Sequence, residues 1–190
     1  MKLAVEASEN PQLKHIVALS ILSGCRKREL LDARWEDFDL ERRNWRIPMT
    51  KIGKPRHVPL SSSALAVLAQ IPRWEGCPYV LPNPKTKLPF VSYFYSWNTA
   101  RKQAGLPEVR VHDLRHSFAS NCVNQKVSIY EVATLLGHAS VSTTAKYAHL
   151  SPILFSLKNK RDKICHLFDK ELAWQEPRRI SAVVRDWLIF

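Results

Sequence analysis

The chain has 190 residues, with 29 Lys and Arg against 17 Asp and Glu, a formal net charge of +12. That length gives one domain with a proper core, or one domain with an appendage. The charge favours a polyanionic partner, of which nucleic acid is the commonest. Four scattered cysteines (Cys25, Cys77, Cys122, Cys165) with no C-x-x-C pair disfavour a zinc site and fit free thiols in a reducing cytoplasm. No apolar run approaches the ~18 residues of a membrane span, and no basic-then-apolar leader opens the chain, so a soluble, cytoplasmic protein is expected.

Asn10 and Pro11 open the first strong helix, a cap followed by proline at the first helical position. Leu13, Ile16, Val17, Leu19, Ile21 and Leu22 make it apolar on more than one face, which predicts a central core helix ending at Gly24. Arg26 follows at once, and a short second helix begins at Arg28 and Glu29 and ends near Trp35. The pattern then changes to short strands over 38–40, 44–48 and 57–60, with a Gly- and Pro-containing hairpin tip at 51–55. A three-stranded antiparallel sheet is predicted, with Lys51 at the start of its second turn. Ser61 or Ser62 caps a helix through Gln70, and residues 92–104 read as another, closed by Gly105. Lys85, Lys87, Arg101 and Lys102 near it fit phosphate contacts or a merely charged face, equally well.

The most informative stretch runs from Val111 to Leu150. His112 and Arg115 stand in an H-x-x-R arrangement at a helix start, with Asp113 as its cap. Ser128 and Glu131 form a capping box for the next helix, which Gly137 ends, so that His138 projects from a turn. A third short helix starts near Ser142 and carries Tyr147. Any one of these residues is commonly structural: a histidine at a cap, a tyrosine packed on a short helix, a lysine solvated in a turn. It is their combination with the stretch 23–30 and with Thr50 and Lys51 that carries information.

In order and spacing, Arg26, Lys51, His112, Arg115, His138 and Tyr147 resemble the catalytic domain of the tyrosine recombinases, of the phage and genomic-island integrase kind. The resemblance covers approximately residues 10–151, and its H-x-x-R, L-L-G-H and Tyr set is highly specific. It implies a mixed α+β fold, mainly helical with a small three-stranded antiparallel sheet. It also implies a catalytic domain over 1–153, a helical tail over 154–190, and an N-terminal DNA-clamping domain not found in this chain. Relatives read Thr-Gly-Leu-Arg-x-Gly-Glu-Leu around the first arginine. Here Ser23, Cys25 and Arg28 replace Thr, Leu and the second Gly, so Arg28 must point outward or shift the backbone.

The implied chemistry is metal-, cofactor- and ATP-independent breakage and rejoining of double-stranded DNA through a 3′-phosphotyrosyl intermediate. A phenol with an ordinary pKa of about 10 needs help to lose its proton. Tyr147 is implied as nucleophile, and Arg26 and Arg115 as bidentate holders of the non-bridging phosphate oxygens. His138 donates a further hydrogen bond, His112 takes or returns the phenolic proton, and Lys51 protonates the leaving 5′ oxygen. Glu29 matches an acidic residue that supports the pocket from behind. Self-assembly into a tetramer on DNA is implied, with a monomer or dimer for the chain alone. A type IB topoisomerase, a non-catalytic DNA-binding module (a degenerate recombinase or a helix-turn-helix regulator) and an RNA-binding domain are the competing readings. The last lacks the aromatic stacking motifs of RRM-type sheets. Ile180, Val183, Val184, Trp187 and Leu188 make an apolar helical stripe near the C-terminus, expected to pack in cis or on a second copy.

Overall fold

The structure is a computed structural model that describes residues 1–48, 55–145 and 147. Its elements are helices α1 (Lys2–Glu6), α2 (Leu13–Ser23) and α3 (Lys27–Leu31), a 3-10 turn (Trp35–Asp37), and strands β1 (Phe38–Asp39), β2 (Asn44–Ile47) and β3 (Arg56–Pro59). Helices α4 (Ser62–Ala69), α5 (Phe94–Gln103), α6 (Val111–Asn124), α7 (Ile129–Leu136) and α8 (Ser142–Ala145) follow. The mixed, mainly helical fold with a three-stranded antiparallel sheet is therefore as expected. Lys51 and the tail over 154–190 lie outside the described residues.

Helix α2 is the centre. Leu13, Ile16, Val17, Ala18, Leu19 and Ile21 are all buried, and α1, α3, α4 and α6 pack around it. A helix enclosed this way must also silence its own polar side chains. Ser20 and Ser23 do so by donating to the carbonyls of Ile16 and Leu19, at 2.7 and 2.5 Å. Gly24 ends the helix at φ +60°, and a Cβ there would sit 2.3 Å from Cδ1 of Phe118 on α6. Glycine is thus required twice, for the left-handed turn and for the close approach of α6. Helix α2 begins later than its sequence signal: Asn10 and Pro11 form a turn, in which Asn10 Oδ1 accepts from the Gln12 amide at 3.1 Å.

The sheet is ordered β1-β2-β3, with Trp45 opposite Val58 and Ile47 opposite Arg56. Trp45, Ile47, Val58 and Arg56 are buried, while Arg46 and His57 face outward. The period-2 rule therefore sends an arginine inward beside three apolar residues. The large core around α2 takes in this sheet, and a second cluster forms under α6 and α7 from Phe118, Cys122, Val132, Leu135 and Leu136, with Tyr147. Among the described residues, no helix is long and apolar enough to cross a membrane.

One buried group on α2 ties stability to pH. His15 Nδ1 lies 3.2 Å from Gln12 Oε1, while its Nε2 is buried with no partner. Burial, with the Lys14 charge second, lowers its pKa from 6.5 to about 4. Between those values the unfolded chain binds a proton that the folded chain refuses. The fold keeps its full advantage above pH 6.5 and loses it as pH falls toward 4. A shift of this size is worth about 3 kcal/mol. Urea unfolding across that window is expected to show the loss, and His15→Leu to flatten it.

Candidate active site

The last carbonyls of a helix have no partner within it, and the end of α7 shows where each one goes. Gly137, at φ +64°, turns the chain. Its amide then donates to Thr134 O and the His138 amide to Ala133 O, both at 3.0 Å. Those two bonds make a Schellman ending. The next three carbonyls each accept from an arginine. Arg56 donates to Leu135 O, Arg115 to Leu136 O at 2.6 Å, and Arg26 to Gly137 O at 2.6 Å. Three guanidiniums from β3, α6 and the start of α3 thus meet at the negative end of one helix dipole.

Their mutual repulsion is offset by Glu29. Its Oε1 accepts from Arg26 at 2.6 Å, and its Oε2 from Arg56 at 2.6 Å and from the Arg26 amide at 2.8 Å. Burial alone would raise the Glu29 pKa. The Arg56 charge and the hydrogen bonds from Arg56 and Arg26 outweigh it and hold the carboxyl below its ordinary value. Arg115, 4% exposed, also donates to Gly24 O at 2.7 Å. Burial, then Arg26 and Arg56, lower its pKa to about 10, so it stays charged at neutral pH. With three cations against one carboxylate the cluster is net positive, and it opens on a cleft of about 830 Å³.

Arg26, Arg115, His112, His116, His138 and Tyr147 all line that cleft. His138 follows the Gly137 turn, and its Nδ1 lies 2.7 Å from Oγ1 of the buried Thr144 on α8. That contact fixes the ring. Tyr147 lies just past α8, its amide donating to Thr144 O at 2.9 Å and its ring in the second core cluster. Its hydroxyl meets Nδ1 of His116. Burial raises the Tyr147 pKa and the Arg115 charge partly opposes the rise. His112 packs edge-on against His116, ring centres 4.5 Å apart.

Helix α6 starts one residue before His112. Asp113 therefore caps it from the first turn, its Oδ2 accepting from the Arg110 amide at 2.8 Å, rather than from the cap position itself. Arg28 does point outward: it forks onto Asp32 and donates to Phe90 O at 2.9 Å, so the backbone of α3 is undisturbed. Of the cations with an open role, Arg101 is held by Asn98 at 2.8 Å, and Lys87 lies 2.9 Å above the Trp74 ring. Among the described residues, no group of three or more His, Cys, Asp or Glu side chains is placed to hold a metal.

Three residues of the site were missed by the sequence reading. Arg56 had a signal, since it stands two positions before inward-facing Val58 on one strand. His116 had one too, at i+4 from His112 on the same helix face. Thr144 had none beyond its nearness to Tyr147.

Arg56 is expected to be the most costly of the three to remove. Arg56→Met leaves Leu135 O without its donor and Glu29 with one guanidinium in place of two. Breaking a buried pair this way costs about 3–5 kcal/mol. Thermal melting should show a large drop for Arg56→Met and a smaller one for Arg56→Lys. A melting temperature equal to that of the parent would contradict the contact scheme.

Comparison with known proteins shows the family. The family model described as "Phage integrase family" matches residues 1–152. A tyrosine recombinase XerC from Herpetosiphon aurantiacus is 31% identical over 160 residues, covering 80% of this chain and 52% of the relative. The chain thus spans about half the length of the curated relatives it matches. Among solved structures, the catalytic domain of bacteriophage HP1 integrase superposes with a TM-score of 0.62 at 26% identity, covering 79% of this chain and 82% of that one. XerA recombinase gives 0.64 at 26% identity, covering 80% and 56%. With most of its length matched by the family model, and the cleft residues built on the matched elements, the chain belongs to the phage integrase family.

Proposed function

We propose that this chain is the catalytic part of a site-specific DNA recombinase that cuts and rejoins duplex DNA through a covalent 3′-phosphotyrosyl link at Tyr147. The observation that carries the reading is the placement of Tyr147 in one cleft with Arg26, Arg115 and His138. A phosphodiester under attack gathers negative charge on its non-bridging oxygens, and preorganised donors stabilise it most where water is excluded. A guanidinium has five N–H groups. Arg26 and Arg115 each spend two on the contacts above, which leaves three apiece for phosphate. His138, its Nδ1 held by Thr144, is assigned the further hydrogen bond to the same oxygens.

Lys51 is the assigned acid for the departing 5′ oxygen, on the strength of its position in the sequence alone. His112 is assigned to the handling of the phenolic proton, its ring edge-on to that of His116. Glu29 supports the pocket by holding Arg26 and Arg56. The net charge of +12 supports DNA as the substrate. Strand exchange between two duplexes requires four cuts, which favours a tetramer on DNA. Topoisomerase-like relaxation uses the same cleavage step, and a non-catalytic DNA-binding module would need none of it.

Covalent trapping tests the reading. A pool of nicked suicide duplexes with randomised arms is incubated with the chain, and covalently attached DNA is recovered after denaturation. The parent chain should yield an adduct and Tyr147→Phe none. Absence of any adduct from the parent would favour the binding-module reading. On the recovered duplex, Arg115→Lys should cleave about 100-fold more slowly, because a point charge cannot replace the planar fork. Near-parental cleavage by Arg115→Lys would count against the clamp.

A further inference from the structure

Under the recombinase reading, Tyr147 must give up its proton before or as it attacks, and the fold makes that harder. A phenol ordinarily ionises near pH 10, and burial raises Tyr147 further, against only partial help from Arg115. A base must therefore touch its oxygen. In the structure Nδ1 of His116 meets that oxygen. The His116 and Tyr147 rings lie 5.8 Å apart at 53°, a tilt that lets Oη meet the edge of the imidazole rather than its face.

The surroundings of His116 suit a proton acceptor. For the phenol to donate, Nδ1 must be the bare nitrogen, so the neutral ring carries its hydrogen on Nε2. The Asp113 carboxylate, one turn back on α6, lies within electrostatic reach of His116. His112 packs edge-on against the His116 ring and restrains its tilt. Arg115, the next residue back, is directed to Gly24 O and Leu136 O.

We propose that His116 is the base that removes the phenolic proton of Tyr147, an assignment that rests on the recombinase reading above. The proton passes from Oη to Nδ1 as the Oη–P bond forms. The P–O5′ bond breaks, and its electron pair leaves on the 5′ oxygen, which takes a proton from an acid on its own side of the phosphorus. In rejoining, the 5′ hydroxyl gives its proton back to that acid's conjugate base as its oxygen attacks phosphorus. The P–Oη bond breaks, and the His116 imidazolium returns its proton to the departing tyrosine oxygen. His112 acts through His116, as a positioning residue.

A sulfur-for-oxygen substitution in the substrate separates this role from the others. The duplex recovered by trapping is made with a 5′-bridging phosphorothiolate at the cut site, whose thiolate leaves without needing a proton. A variant lacking the acid should be rescued by it, and a variant lacking the base should not. The proposal expects His116→Ala to cleave at least about 100-fold more slowly than the parent on both substrates, the usual scale of a lost general base. It expects Lys51→Ala to recover on the sulfur substrate. His116→Gln, which can accept a hydrogen bond but cannot hold a proton, should be as slow as His116→Ala while melting and binding DNA like the parent. Rescue of His116→Ala by sulfur, parental rates from either His116 variant, or a base signature in His112→Ala alone would overturn the assignment. If the parent chain forms no adduct with any duplex, it is the recombinase reading itself that fails.

Discussion

Three carbonyls at the end of one helix set the arrangement of the site. Leu135, Leu136 and Gly137 finish α7 with their oxygens unclaimed by the backbone of the described residues, and Arg56, Arg115 and Arg26 each take one. A helix end buried without partners would be costly, and three guanidiniums crowded without anions would repel. Each problem answers the other, with Glu29 as the single carboxylate between. The side chains that would grip a phosphate are therefore already fixed by folding. Fixed donors need little rearrangement when charge develops, which is the physical basis of electrostatic catalysis.

The same contacts join parts of the chain far apart in sequence. Arg115 reaches back to Gly24 O at the end of the central helix, where glycine also admits Phe118. Arg56 ties the sheet to α7, and a Cβ on Gly137 would lie 2.6 Å from its Cδ. Gly137 consequently serves both the turn that ends α7 and the approach of an arginine. Tyr147, packed with Leu135 and Leu136 in the second core cluster, is positioned by the helix whose end holds the arginines. Nucleophile and phosphate-binding groups are thus referred to one element, α7.

Much of this was legible in the sequence. The capping box of Ser128 and Glu131, the stop at Gly137 and the apolar faces of α2 are local signals, and the structure has all of them. The family pattern brought Arg26, His112, Arg115, His138 and Tyr147 to one cleft. The pairing of arginines with carbonyls was not legible, because it depends on which backbone atoms a distant helix leaves unsatisfied. Arg56 fell between the hairpin tip read over 51–55 and the strand read over 57–60, and a charged side chain at an inward position reveals itself only when the opposite strand and its register are known. His116 was overshadowed by the better-known histidine one turn before it.

The most direct test is a crystal structure of the chain on a cleavable nicked duplex with Tyr147→Phe to halt the reaction. If the helix end preorganises the site, Arg26 and Arg115 will keep their bonds to Gly137 O and Leu136 O while their remaining N–H groups bind the scissile phosphate. Guanidiniums that abandon those carbonyls and swing onto the phosphate would contradict the account. The arginines would then be arranged by the DNA, and the end of α7 would be only where they rest.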